Sequence, residues 1–137
     1  MKIINLIYGV LVIAGFSERL ARYICAQAAH ETGDFKSKIF RLNNNLFGMK
    51  VPKIRKTTAL YESNGHAVYE NPESSVQDFI IYWKAQNYPM DFNSPDLFVE
   101  AIHKRGYFEA DIREYKKGVN FFYNKYFNET EPGTSNS

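Results

Sequence analysis

The sequence predicts a mainly helical α+β domain in which one small β-hairpin is set among five helices. Three observations carry that expectation. Apolar residues recur at helical spacing in five segments, most of them opening on a capping residue or closing on glycine. Between the second and third segments, Asn64-Gly65 separates two short stretches, the strongest local signature of a two-residue hairpin turn. The 137 residues, 45% hydrophobic and 23% charged, suit one core and leave no room for a second domain of similar size. We expect a single domain over residues 1–128 and a disordered tail over 129–137, where Glu131-Pro132-Gly133-Thr134-Ser135-Asn136-Ser137 has nothing to bury.

Ile3–Ala14 is almost wholly apolar and ends at Gly15, which predicts a buried first helix. The segment is too short for a membrane span of ~20 apolar residues, and no small-x-small cleavage site follows it as in an export signal. Ser17 caps a second helix running to about Thr32 and closed by Gly33. An asparagine-rich loop, Asn43-Asn44-Asn45, leads toward the hairpin, where Glu62 should pair with Ala67 and Leu60 with Tyr69. Ser75-x-x-Asp78 resembles a capping box before Val76, Phe79, Ile80 and Trp83. Ser94-Pro95 is a cap followed by proline at the first helical position, with Leu97, Phe98, Ala101 and Ile102 on one face and Gly106 at the end. Asp111-x-x-Glu114 opens the last helix, whose stripe is Ile112, Tyr115, Val119, Phe122 and Tyr126.

Composition excludes several chemistries. A net charge of +2 is too small for a nucleic-acid-binding domain. One cysteine, Cys25, permits neither an internal disulfide nor a cysteine metal cluster, and it reads as a small buried hydrophobe. His30, His66 and His103 lack zinc-helix spacing, and the eight glycines form no phosphate-cradling loop, so no metal or cofactor is expected. No feature of the sequence sets an oligomeric state. Part of the aromatic content (11 Phe, 10 Tyr and 1 Trp) must serve the core, and ten tyrosines also suit a polar surface that stacks on ligands.

One carboxylate is placed oddly. With Leu20 at zero on a helical wheel, Ile24 falls near 40°, Ala28 near 80° and Glu31 near 20°, while Arg19, Arg22, Ala26 and His30 lie on the far side. Glu31 therefore sits on the apolar face, in the last turn. Desolvation and the negative end of the helix dipole both favour its neutral form there. A carboxylic acid kept protonated near neutral pH is what general-acid catalysis requires. The competing expectation is a carboxylate turned out to solvent, or paired with Arg41.

The surrounding residues carry a resemblance. Ala26-Gln27-Ala28-Ala29-His30-Glu31-Thr32-Gly33, Ser37 and Asn45-Leu46-Phe47-Gly48 closely resemble the signature of the glucosaminidase family of peptidoglycan hydrolases (glycoside hydrolase family 73). The match continues at Tyr69, Ser74-Ser75-Val76 and Asp78-Phe79, and spans about Gly15 to Phe127. Gly106-Tyr107-Phe108-Glu109-Ala110-Asp111 stands where the family carries a tyrosine-alanine-threonine-aspartate motif, with bulkier residues after the tyrosine. The resemblance implies a lysozyme-like fold: a helical lobe, a small β-lobe and a glycan cleft between them. It implies cleavage of the β-1,4 strand of peptidoglycan, most directly as an endo-β-N-acetylglucosaminidase. N-acetylmuramidase, lytic transglycosylase and an inactive glycan-binding or virion module remain open. Action at the bacterial cell wall, without stable membrane insertion, is the matching location, and a domain without wall-binding repeats or an export signal resembles a phage lysis enzyme.

The resemblance makes Glu31 the general acid and Tyr107 the residue that contacts the N-acetyl group or orients the sugar. Glu62 on the hairpin is the candidate second carboxylate, with Glu70 in reserve and Asp34 too local. The substrate's own N-acetyl group is a third route. An inverting base would stand ~6.5–9.5 Å from the acid and a nucleophile ~5–5.5 Å from it. Phe47, Tyr61, Tyr69 and Tyr82 are candidate sugar platforms, with about half expected to serve the core instead. Asn45 is a candidate donor to an N-acetyl carbonyl, or simply a turn former. Lys50, Lys53, Arg55 and Lys56 form a basic run suited to an anionic envelope.

Overall fold

The computed structural model describes residues 2–128; the tail expected over 129–137 lies outside them. The described chain forms α1 (Ile3–Ile13), α2 (Glu18–Glu31), α3 (Lys38–Asn43), β1 (Tyr61–Ser63), β2 (His66–Val68), α4 (Pro72–Ala85), α5 (Pro95–Lys104) and α6 (Ile112–Phe127). This is a mostly helical α+β architecture with one two-stranded antiparallel sheet, consistent with the lysozyme-like fold. No helix among the described residues is long and apolar enough to cross a membrane.

The centre of the helical lobe is α2. Helices α1, α5 and α6 all pack on it, and Leu20, Ala21, Ile24, Cys25, Ala26 and Ala28 are fully buried. Packing on several sides corrects the two-faced wheel: Ala26 is buried and His30 half-buried, although both were placed on the far side. The Cys25 thiol points at the Ile4 carbonyl 3.7 Å away, and burial pushes its ionisation up, as fits an inert core residue. Helix α1 buries Ile4, Ile7 and Leu11 against α2 and α4.

Capping chemistry sets most boundaries. Ser17, Ser37 and Ser94 accept from the amides of Leu20, Phe40 and Leu97, and Asp111 accepts from Arg113. Helix α4 starts earlier than the Ser75 box predicts. Its cap is Asn71, which accepts from the Ser74 amide at 2.8 Å, with Pro72 following. Ser75 and Asp78 are instead buried inside the helix: Ser75 Oγ accepts from the Leu46 amide at 3.0 Å. Leu97, assigned to the apolar face of α5, is 46% exposed, and Phe98, Val99 and Ile102 do the packing.

The hairpin has the expected register, with Tyr61 opposite Val68, Glu62 opposite Ala67 and Ser63 opposite His66. Asn64 and Gly65 both take positive φ, as the tight turn requires. A two-stranded ribbon is marginal alone, and the asparagine run supplies what holds it. That run is the end of helix α3 followed by a stitched turn, rather than a free loop. Asn43 Nδ2 donates to the Ser63 carbonyl at 3.0 Å and Asn44 Nδ2 to the Tyr69 carbonyl at 2.9 Å. Asn45 Nδ2 donates to Met49 and Ala67 carbonyls, both at 2.9 Å.

Between hairpin and α4, the fully buried Asp78 accepts from Arg55 at 2.6 Å, Thr57 at 2.7 Å and the Tyr69 hydroxyl at 2.5 Å. Arg55 thus belongs to this junction, and of the basic run Lys50, Lys53 and Lys56 are the residues left at the surface.

Candidate active site

Helix α2 delivers Glu31 at its last residue. The chain then leaves through Gly33, Asp34 and Phe35, three consecutive residues at positive φ (57°, 61° and 67°). A bulky side chain in that region is strained, and the turn is held from several sides. Thr32 Oγ1 donates to the Ala28 carbonyl and accepts from the Phe35 amide, both at 2.8 Å. The Asp34 amide donates to the Ala29 carbonyl at 2.7 Å.

Helix α6 clamps this segment along one face. Tyr115 donates its hydroxyl to Glu31 Oε2 at 2.6 Å. One turn on, Gly118 leaves a notch filled by the His30 imidazole; a Cβ there would lie 2.0 Å from His30 Nδ1. Two turns further, Lys125 and Tyr126 bind the Asp34 carboxylate. Burial alone would raise the Asp34 ionisation, but its bonds to Lys125 and Tyr126 outweigh it and hold the group ionised below the usual range. Asp34 is therefore committed to fastening the turn.

The Tyr115 ring is fixed as firmly as its hydroxyl. Phe108 stacks on it at 3.8 Å with an interplanar angle of 7°, and His30 meets it edge-on at 4.6 Å. Gln27, fully buried one turn before Glu31, turns its amide toward the Tyr115 hydroxyl without a hydrogen bond of good geometry. Sequence reasoning placed Tyr115 in the core stripe of α6 and missed its polar end. The available signal was the residue type itself: a buried tyrosine needs a partner for its hydroxyl.

Burial pushes the Glu31 carboxyl above the ordinary range, against the opposing pull of the Tyr115 hydrogen bond and the charge of His66. The expected placement of Glu31 is thus realised, half-buried rather than frayed into solvent. Its other oxygen faces Gly48, where an added Cβ would lie 3.4 Å from Oε1. Gly48 has φ +67° and sits in a turn that Asn45 ties together, its Oδ1 accepting from the Phe47 and Met49 amides at 3.3 and 3.2 Å.

Through Gly48, Glu31 borders a cleft of about 320 Å³. One wall is Phe47–Lys50, the floor is Tyr82 of α4 with Gln86 just past its end, and the other wall is Arg105–Tyr107, between α5 and α6. Tyr107 joins the walls by donating to the Phe47 carbonyl at 2.7 Å. Burial, and then the charge of Glu31, push its phenol well above the ordinary value, so it remains a neutral hydrogen-bonding group.

The remaining candidates separate. Tyr82 lines the cleft, with its hydroxyl 3.1 Å from that of Tyr88. Tyr61 is 60% exposed on β1. The Phe47 ring is buried and stacked on Phe79 at 4.3 Å, so only its backbone serves the cleft. Tyr69 is buried with its hydroxyl on Asp78, a structural post rather than a sugar platform. Asn45 spends its side-chain donor and acceptor on the backbone, which assigns it to the turn and not to an N-acetyl group. Glu62 and Glu70 are exposed, and among the described residues no hydrogen bond or ion pair joins either to Glu31; the hairpin's charge that reaches Glu31 is His66.

A half-buried acid at a helix end, bordering a cleft through Gly48, is an arrangement that can protonate a leaving oxygen. No curated protein and no solved structure matches this chain. The family model described as Glucosaminidase, mannosyl-glycoprotein endo-beta-N-acetylglucosaminidase, matches residues 17–128, from the cap of α2 to the end of α6. That span contains Glu31, the Asn45–Gly48 turn, the hairpin and Tyr107, and the chain belongs to the Glucosaminidase family.

Proposed function

We propose that this domain hydrolyses the β-1,4 glycan strand of bacterial peptidoglycan as an endo-β-N-acetylglucosaminidase, with Glu31 as general acid. The observation that carries the proposal is the environment of Glu31: a carboxyl whose burial favours the protonated form, oriented by Tyr115 at 2.6 Å and bordering the cleft through Gly48. With a sugar pair across the cleft, Glu31 gives its proton to the bridging oxygen as the C1–O bond breaks. The developing charge at C1 is met from the opposite face by a water, a carboxylate or the sugar's N-acetyl oxygen.

Tyr107 supports the reaction by fixing the two walls together and presenting a neutral phenol near the acid. Tyr82 is the platform on the floor and Tyr61 a contact from the hairpin. Glu62 is our proposed second carboxylate, reaching the cleft by movement of the hairpin over bound glycan.

The test is mass spectrometry of fragments released from purified peptidoglycan, before and after borohydride reduction, with Glu31→Gln alongside. Fragments ending in reducible N-acetylglucosamine, absent with the variant, are expected. Reducible muramic or anhydro-muramic ends would reassign the cut to a muramidase or a lytic transglycosylase. No fragments from either protein would overturn the enzymatic proposal.

A further inference from the structure

The cleft that Glu31 borders through Gly48 is also lined by two cations. Gly48 and Tyr107 mark the end near the acid. Two residues further along each wall stand Lys50 and Arg105. Two residues of chain span at most about 7 Å, so the backbone of each cation stands within about one sugar length of the residue that borders the acid. Both cations line the same cleft, and among the described residues neither has an acidic partner within ion-pair distance.

Arg105 is held in place without being neutralised. Its guanidinium carbon lies 4.3 Å from the centroid of the Tyr88 ring, and one Nη donates to the Gln86 carbonyl. Tyr88 is buried, stacked on Trp83 at 4.2 Å and paired through its hydroxyl with Tyr82. The guanidinium therefore rests on a fixed aromatic platform continuous with the cleft floor. Ring and carbonyl account for one face and one donor. The other N–H groups remain in a rigid fork that matches a carboxylate.

We propose that Lys50 and Arg105 form an anion subsite that takes a carboxylate carried on the lactyl arm of a muramic acid residue, either the arm's own or that of a peptide attached to it. This rests on the glycan-strand reading above and deepens it. A strand of alternating N-acetylglucosamine and N-acetylmuramic acid is neutral along its backbone and carries its negative charge on that arm alone. A cation on each wall distinguishes the two sugars by charge. It fixes the register in which the strand lies across Glu31, and so which of the two bonds is presented.

The experiment is calorimetric titration of the Glu31→Gln protein with four tetrasaccharides. These are neutral chitotetraose and the N-acetylglucosamine–N-acetylmuramic acid tetrasaccharide with free lactyl carboxylates, with those carboxyls as primary amides, or with stem peptides. The free-acid or peptide-bearing ligand should bind at least about tenfold more tightly than the neutral ones, and the advantage should shrink with added salt. Which of the two acidic ligands shows it identifies the source of the carboxylate. Lys50→Gln and Arg105→Gln should each erase much of the advantage, read within each variant as the ratio of acidic-ligand to chitotetraose affinity; Arg105→Lys should restore part of it. Equal binding of acidic and neutral ligands, or an advantage that survives both substitutions, overturns the subsite and leaves the glycan cleft standing. Binding of none of the four overturns the glycan reading and the subsite together.

Discussion

Gly118→Ala tests whether the joint between α2 and α6 is built as described. A methyl group at 118 would lie 2.0, 2.4 and 2.9 Å from Nδ1, Cε1 and Cγ of His30. Real Cβ contacts do not come so close, so the imidazole must leave its notch or the helices must part. Such overpacking costs about 1–3 kcal/mol. Against it, alanine is the better helix former by about 1 kcal/mol at an interior position. The single variant should therefore be destabilised by about 0–2 kcal/mol. In a His30→Ala background the clash is gone and the propensity remains, so the same change should stabilise by about 1 kcal/mol. This reversal of sign is the diagnostic. Urea unfolding of the four proteins, read by midpoint at constant slope, gives the coupling directly. A coupling below about 0.5 kcal/mol, the ordinary scatter of independent sites, would refute close packing of His30 on α6 and the bracing of Tyr115 that follows from it.

Tyr115→Phe removes the hydrogen bond that favours the ionised form of Glu31, leaving burial less opposed; His66, Tyr107 and Gly48 still face the carboxyl. The alkaline limb of the kcat/KM profile should move to higher pH, and a stationary or lowered limb would count against Glu31 as the acid this tyrosine holds. The raised ionisation of Glu31 also has a stability sign. The charged form is disfavoured in the fold, so its cost is absent below the ordinary carboxyl value of 4.5 and complete above the raised one. Glu31→Gln should therefore unfold at higher temperature than wild type near pH 7, with the gain fading as pH falls through that range; a gain independent of pH would exclude the ionisation as its source. Asp78→Asn leaves the Arg55 guanidinium, 17% exposed, without its counter-charge, and should cost about 3–5 kcal/mol in urea unfolding. Tyr82→Ala should weaken chitotetraose binding, whereas Tyr69→Phe should lower stability and leave binding unchanged; the opposite pattern would exchange their assignments.

The elements legible from sequence were those specified within a few residues. Ser17, Ser94-Pro95, Asp111 and Asn64-Gly65 each set a boundary by local hydrogen bonding or by permitted φ, and each boundary lies where the local chemistry puts it. Errors arose where two local signals competed. Asn71-Pro72 and Ser75-x-x-Asp78 are both reasonable helix starts four residues apart. The choice was made by tertiary demand for Ser75 at the Leu46 amide and Asp78 at Arg55, Thr57 and Tyr69. The short helix α3 was hidden for a similar reason, because Asn43, Asn44 and Asn45 read as turn formers when their amides actually reach the hairpin segment 20 or more residues away.

The site divides along the same line. Glu31 was legible because its oddity is local: a carboxylate on the apolar face of its own helix. What holds it was not. Tyr115 is 84 positions away, and on α6 it satisfies the same stripe as Val119, a residue with no polar end. Hydrophobic periodicity identifies which side of a helix is buried but gives no weight to a hydroxyl at the tip of a buried ring. The platforms divide likewise. Phe47, Tyr69 and Tyr82 are equally aromatic in the sequence, and only the structure distinguishes a ring stacked on Phe79, a hydroxyl serving Asp78 and a ring open to the cleft. The position of the candidate acid can thus be read from the helix that bears it, while its hydrogen bond and aim are set by α6, whose contacts become visible only when the chain has closed on itself.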